Sequence, residues 1–310
     1  MNSTLDIFGS QTTLAQAGLG ADRTYALTVA MSVAGIALLV LVMALVALAW
    51  RARGGGRRWW VIAGGIVLPL VTLTGLFVAS TLTLRAIAAP PPEDALTVEI
   101  TGHQYWWEIV YDPGGRALRD ANELHLPKDR PVRVLLNSAD VIHSFWLPSI
   151  AGKMDMIPGR TNQTTLTALE TGRFRGQCAE FCGLSHPLMA FEAVVLPEAE
   201  FAGFLEDLED EARDAVTPQE RRGRDVFQNA GCPACHEVRG LAEGGRLGPD
   251  LSRVGARKAL GAGMWRLNRG TLAGWIADPQ AMKPGAEMPA YNHLSGPDLR
   301  AVAAWLESLE

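Results

Sequence analysis

Carboxylates are absent from one long part of the chain. None lies between Arg23 and Leu84, and from Asp22 to Glu93 the only charged residues are Arg23, Arg51, Arg53, Arg57, Arg58 and Arg85. Two uncharged runs result, Tyr25–Trp50 and Trp59–Leu84, of 26 residues each. About 20 apolar residues suffice to cross a bilayer as a helix, and a backbone in hydrocarbon must satisfy its own hydrogen bonds. The runs therefore predict two membrane helices, against a buried hairpin of a soluble protein. No basic stretch precedes the first run, which is also about twice the length of a signal-peptide core, so cleavage is not expected. Cysteine is scarce, four in 310 residues and none near the N-terminus, which argues against a lipid-anchored N-terminus. With 48% hydrophobic residues and a net charge of −5 the chain is not disordered, and it has no internal repeat.

What is present begins with arginine. Arg51, Arg53, Arg57 and Arg58 crowd the short loop between the runs, and such loops stay cytoplasmic. The N-terminal tail and everything after Leu84 are expected outside the cytoplasm. Pro69 removes a helical hydrogen bond inside the second run and predicts a kink there. Trp50, Trp59 and Trp60 stand where interfacial aromatics anchor.

"AAPPPEDA" (88–95) cannot continue a helix. From Leu96 to Leu196 the chain reads as β structure: "LTVEITGHQYWWEIVY" closed by the turn "YDPGG", then "RPVRVLLNS", "TNQTTLTA" and "FEAVVLP", spaced as in a small sandwich or barrel. Glu198–Asp214 holds Phe201, Phe204, Leu205 and Leu208 at i, i+3, i+4 and i+7, which predicts an amphipathic helix with an acidic outer face. Thr217, Pro218 and Glu220 then form a helix start with a capping box, and a boundary is expected near Ala215. The remainder is helical in character. Residues 90–217 carry a net −11 and residues 218–310 a net +2, which suits docking of the last part on its neighbour and equally suits ordinary solvated surface.

The four cysteines form two pairs. In an oxidising compartment an even count defaults to disulfides, but each pair has its own context. "CPACH", Cys232 to His236, is the C-x-x-C-H pattern of covalent haem c: two thiols take the haem vinyls and His236 becomes an axial ligand. A redox dithiol is the plainer alternative, and the helical surroundings do not suit it. The sixth iron ligand is expected to be a methionine; Met264, Met282 and Met288 are available, with His293 a further possibility. The other pair lies in "CAEFCGLSHPLM", where Cys178, Cys182, His186 and Met189 offer two thiolates, an imidazole and a thioether. That softness selects copper, or zinc in a Cys2His site completed by another histidine. Met189 is redundant for zinc and familiar as a weak copper ligand. His103 and His125 sit in no ligand motif and read as strand residues.

"GAEMPAYNHLSGPDLRAVAAWLESL" and "LGPDLSRVG" resemble the end and the middle loop of class I cytochromes c, where Met-Pro precedes the last helix; this resemblance singles out Met288. "GHQYWWEI", "DVIHSFWLP", "KMDMIPGR" and "CAEFCGLSHPLM", with the two spans before them, resemble subunit II of haem-copper cytochrome c oxidases, in the subclass with a fused cytochrome c. The fold class this implies is a two-helix transmembrane hairpin, then an all-β cupredoxin-like barrel, then an all-α class I cytochrome c domain. The expected organisation is an extracytoplasmic tail (1–24), the hairpin (25–89), the CuA domain (90–197), an acidic helical linker (198–216) and the cytochrome c domain (217–310).

The resemblance implies a binuclear copper centre, CuA. Cys178 and Cys182 would bridge the coppers, and His143 and His186 would bind one each. Met189 and the Glu180 carbonyl would be weak axial ligands, and the Glu180 side chain would reach a magnesium ion shared with subunit I. It implies an electron-input subunit: a donor (a cytochrome c, a quinol-oxidising complex or similar) reduces haem c, electrons pass to CuA and then to subunit I, where O2 becomes water, with proton pumping. The partners implied are subunit I, other membrane oxidase subunits and the lipid bilayer, with no nucleic acid. The site implied is the bacterial inner membrane, with both termini and the soluble domains periplasmic. The rivals are a CuA-containing nitric oxide reductase and a membrane-tethered electron-carrier cytochrome with a structural metal. Two departures stand out. The family's usual tryptophan after "GHQ", where electrons enter, is Tyr105, followed by Trp106 and Trp107. Its glutamate near the start of the second span is Ile62.

Overall fold

The computed structural model describes residue 9 and residues 11–51 and 58–310. The first apolar run lies in a helix, Leu19–Arg51, with an 18-residue stretch of mean hydropathy 2.8, and the second in a helix, Arg58–Ile87, with one of 2.3. At 1.5 Å per residue each reaches ~45 Å or more, beyond a hydrocarbon core of ~30 Å. Their apolar side chains, among them Ile36, Leu39, Leu70 and Phe77, are uncovered. Two such faces, contiguous and unpartnered, suit lipid and not water. The Pro69 expectation takes a specific form: one π turn, Ala63–Val67, precedes the regular helix Leu68–Ile87. The wider turn makes room for the proline ring against the carbonyl four residues back. Arg53 and Arg57, on which the expected orientation partly rests, lie outside the described residues.

Both ends of the hairpin join the β structure. On one side Ala17 N–H donates to the Ser149 carbonyl (3.0 Å) and Leu169 N–H to the Ala17 carbonyl (2.7 Å). On the other, the Pro92 carbonyl accepts from Arg133 Nη2 at 3.1 Å.

Ten strands follow: β1 (Thr97–His103), β2 (Trp106–Asp112), β3 (Leu118–Ala121), β4 (Glu123–Pro127), β5 (Val132–Ser138), β6 (His143–Trp146), β7 (Met154–Met156), β8 (Asn162–Leu166), β9 (Gly172–Cys178) and β10 (Ala190–Leu196). They make two five-stranded sheets, ordered β3-β2-β1-β5-β8 and β4-β10-β9-β6-β7, the cupredoxin-like part of the fold. Alternation in β2 turns Trp107, Ile109 and Tyr111 inward, with Trp107 against Phe145 and Phe191 of the other sheet and Tyr111 against Phe201 and Phe204. The stretch that reads as one strand, "LTVEITGHQYWWEIVY", is a hairpin: β1 and β2 pair antiparallel with His103 opposite Trp106, folded at Gln104–Tyr105. No Gly, Pro, Asn or Asp marks that turn, so nothing local announces it.

The acidic helix is shorter than its periodicity suggests. It runs Glu198–Asp207 and buries Phe201 and Phe204, with Leu208, in the β core. Glu209, Asp210 and Glu211 follow directly, and negative charge at a helix C-terminus opposes the macrodipole.

The C-terminal region is built on helices Pro218–Asn229, Arg269–Ala277 and Gly296–Glu307. Thr217 caps the first, with the reciprocal Glu220 bond in place. The first and last cross at Gly223, where a Cβ would lie 2.1 Å from the Ala301 carbonyl oxygen, so only glycine permits the approach. Phe227 and Trp305 pack at that crossing, with ring centres 5.0 Å apart.

This helical unit is docked on the β part. The buried pair Arg257–Asp120 closes to 2.8 Å, Arg119–Glu237 to 2.7 Å, and Lys258 N–H donates to Glu123 at 2.7 Å. The two ion pairs run in opposite senses: Asp120 of the β part meets Arg257, while Arg119 of the β part meets Glu237.

Candidate functional site

Strands β6 and β9 are antiparallel neighbours with Phe145 opposite Cys178, which brings the start of one beside the end of the other. His143 Nδ1 then lies 3.9 Å from Cys178 Sγ. The loop after β9 curls back so that the two sulfurs are 3.8 Å apart and the Glu180 carbonyl oxygen is 3.2 Å from Cys178 Sγ. A single 3-10 turn, His186–Leu188, sets His186 Nδ1 at 3.6 Å and Met189 Sδ at 3.8 Å from Cys182 Sγ. His143, Cys178, Cys182 and Met189 are buried. The structure thus gathers into one cluster the four donors of the copper motif together with His143 and the Glu180 carbonyl, which the family resemblance added.

Two residues that the motif does not name hold it. Asp140 Oδ1 accepts from His143 Nε2 at 2.7 Å, leaving Nδ1 to face the sulfurs. Gly102 lies flat against the same ring: a Cβ there would be 2.9 Å from His143 Cδ2. Burial alone would depress His143, but Asp140 and Cys178 outweigh it and hold its pKa near 9 in the metal-free cluster. The hydrogen bond from Cys182 pulls the Cys178 thiol down to about 3, and that neighbouring charge, with burial, pushes Cys182 up. A cluster that concentrates negative charge on sulfur in this way is suited to a cation.

The second site is a cavity of about 300 Å³ inside the helical region. Cys232, Cys235, His236 and Met288 all line it, among apolar groups that include Phe227, Leu272, Ile276 and Leu306. His236 Nδ1–H donates to the Pro249 carbonyl at 2.8 Å, which leaves Nε2 as the free nitrogen. Burial lowers the His236 pKa and raises the Cys232 thiol to about 11, so both stay neutral. Met264 is elsewhere, its sulfur 3.7 Å from Arg175 Nη2, Met282 is not in the lining, and His293 is exposed.

Known proteins match both regions. The family description "Cytochrome C oxidase subunit II, periplasmic domain" matches residues 108–196, and "Cytochrome c" matches residues 220–310. Cytochrome c oxidase subunit 2 of Alkalihalophilus pseudofirmus is 36% identical over 248 residues, covering 79% of this chain and 69% of that one. Its counterpart in Bacillus subtilis is 32% identical over 262 residues, covering 79% and 73%. The chain belongs to the cytochrome c oxidase subunit II family. Among solved structures, the periplasmic domain of subunit II of cytochrome oxidase of Bradyrhizobium japonicum is 35% identical, covering 39% of this chain and 97% of that one, with a TM-score of 0.37.

This subunit II therefore forms part of an oxidoreductase complex, and its family and its cytochrome c match imply copper and haem. The donor set fits each group: two thiolates, two imidazoles and a thioether around one point for copper, and a lined cavity with paired thiols beside a free imidazole nitrogen for haem. Magnesium is different. Among the described residues only His143, Cys178 and Cys182 form a group of three or more potential metal-binding side chains, and the Glu180 carboxylate belongs to none.

The two sites share a wall. Gln104, Tyr105 and Trp106 line the haem cavity, while Gln104 Nε2 donates to the Cys182 carbonyl. Tyr105 is buried there, 6% exposed. His103 and His125 stay in their strands, stacked on Trp106 and Phe204 with ring centres 4.3 and 3.8 Å apart. Sequence reasoning missed Asp140, Gln104 and the Pro249 carbonyl as supporting groups. Asp140 lies three residues before His143, a spacing that hints at its role; Gln104 gave no such hint.

Proposed function

We propose that this chain is the electron-input subunit of a terminal oxidase. Electrons from a cytochrome c or a similar donor arrive at the C-terminal helical region, cross to the Cys178–Cys182 loop and continue to subunit I, where O2 is reduced to water. The observation that carries this reading is the shared wall: the Gln104–Tyr105 turn lines the haem cavity, and Gln104 also bonds the sulfur loop. When bound, haem c and a binuclear copper pair supply reversible one-electron chemistry at these two places.

The residues divide the work. Cys232 and Cys235 would tether the haem and His236 and Met288 would hold its iron. Cys178, Cys182, His143, His186, Met189 and the Glu180 carbonyl would hold the copper pair. Asp140 fixes the His143 ring so that little needs to move when charge arrives. The Glu180 side chain would meet magnesium only with ligands from subunit I. The soluble part is proposed to lie on the periplasmic face of a bacterial inner membrane, opposite the arginine loop. Proton pumping would then rely on carboxylates of other subunits, since position 62 is isoleucine.

Purifying the full chain in detergent and measuring metal content with near-infrared and electron-spin-resonance spectra tests this. Two coppers per haem with one unpaired electron shared over both is the expected result. Zinc, or one isolated copper, would instead support a tethered cytochrome with a structural metal.

A further inference from the structure

Lys283 is the one fully buried lysine, 2% exposed, and its function is not accounted for by either site. Both its hydrogen-bond partners are backbone carbonyls: Nζ donates to Tyr105 O at 2.6 Å and to Gly261 O at 2.8 Å. Burying an amine without a carboxylate partner is unfavourable, and burial lowers its pKa to about 7. A side chain kept there against that cost invites a specific role.

Its position supplies one. Lys283 lines the haem cavity, five residues before Met288 on the same loop. Its acceptor Tyr105 belongs to the β part, and the adjoining Gln104 is bonded twice toward the copper site. Gln104 Nε2 donates to the Cys182 carbonyl, and Gln104 N–H donates to Asp140 Oδ2 at 2.6 Å, whose other oxygen holds His143. Next to it, Ser185 Oγ donates to the Pro284 carbonyl at 2.6 Å, joining the sulfur loop to the residue after Lys283. The haem-cavity wall and the backbone of Cys182 are thus connected through two hydrogen bonds and one short stretch of chain.

We propose that Lys283 is a positioning residue for electron transfer, pinning the cytochrome region onto the Gln104–Tyr105 turn and completing the hydrogen-bonded route from the haem-cavity wall to Cys182. The inference rests on the electron-input reading above. The step moves one electron, oxidising haem iron and reducing the copper pair by one; no bond is made or broken.

The test uses the oxidase carrying the full chain, with Lys283→Met and, separately, Gln104→Leu. Haem-to-copper electron transfer is followed after flash reduction of the haem, and haem and copper spectra and the haem potential are recorded alongside. In copper-depleted protein, amide hydrogen exchange at residues 104–106 gives a readout independent of turnover. Lys283→Met is expected to slow the transfer about tenfold or more, since small misplacements of reacting partners are costly, with spectra and potential unchanged and exchange at the turn faster. Gln104→Leu should slow it similarly, and the double variant should be no slower than the worse single one. Transfer at the wild-type rate in Lys283→Met with intact spectra overturns the proposal, whether or not exchange changes. If Lys283→Met fails to load its cofactors, Gln104→Leu decides: an unchanged rate there also overturns it. Absence of haem-to-copper transfer in the wild-type oxidase would instead overturn the electron-input reading.

Discussion

The sulfur cluster and the haem cavity sit on either side of one turn and are built in contrary ways. Around the sulfurs, six donors already stand within contact distance, at the β6 and β9 ends of one sheet and on the loop after β9, with His143 oriented by Asp140 and Gly102. In the helical region, Cys232, Cys235, His236 and Met288 line an open space of about 300 Å³ bordered by the hydrophobic core. The β part can keep its shape without its metal, because strands and core packing hold the loop ends. The helical part has its largest core element supplied from outside the chain. Small helical units cannot bury enough of their own surface to do otherwise.

The largest effect should come from emptying the cavity. In Cys232→Ser with Cys235→Ser the haem can no longer be covalently attached. A void of ~300 Å³ corresponds to about 7 kcal/mol at ~24 cal/mol per Å³, comparable to the whole stability of a small domain. Proteolysis and circular dichroism should show the helical region unfolded while the copper spectrum persists; loss of both together would mean that the two regions are not separable. The seam comes next. Arg257→Met leaves Asp120 buried without its partner, 2.8 Å away in the native protein, at a cost of roughly 3–5 kcal/mol. The thermal transition of the helical region should drop while copper binding holds.

Acid sharpens the contrast from the β side. Burial depresses the His125 pKa to about 4, below the ordinary value of about 6.5. The unfolded chain therefore binds a proton that the native ring refuses between these values. The contribution is fully present above about pH 6.5 and is lost as pH falls toward 4, by roughly 3 kcal/mol at most. Urea melts from pH 7 to 4 should show a shallower pH slope in His125→Phe, whose ring still stacks on Phe204. The smallest effect is at the cluster itself. Asp140→Asn should weaken copper binding about 10–100-fold in a metal titration, with the sheets and the haem spectrum untouched.

The copper motif and the C-x-x-C-H motif were legible because their chemistry is local: the ligands fall within short loops and their spacing carries the meaning. The spans were legible for a similar reason, since absence of charge needs no partner to be read. The hairpin turn at Gln104–Tyr105 was not, because aromatic and β-branched residues run through it unbroken. Met288 was separable from Met264 and Met282 only through likeness to cytochromes c, and the fold now shows Met264 beside Arg175 and not at the cavity. Nothing in the sequence around Lys283, which precedes Pro284 and Gly285, marks it out. Only docking of the helical region makes it a buried residue, and docking depends on contacts across more than a hundred residues of chain, such as Arg257 to Asp120.

The N-terminal strap has a bearing on assembly. Residues 11–18 run along the β body before the first membrane helix begins, and the proline segment ties it again after the second. Two moorings, at opposite ends of one hairpin, remove the body's freedom to swivel about an axis normal to the bilayer. Its heading is then settled by this chain alone, so orientational entropy that a single-stalk head would surrender on meeting its neighbour is already gone before the complex forms.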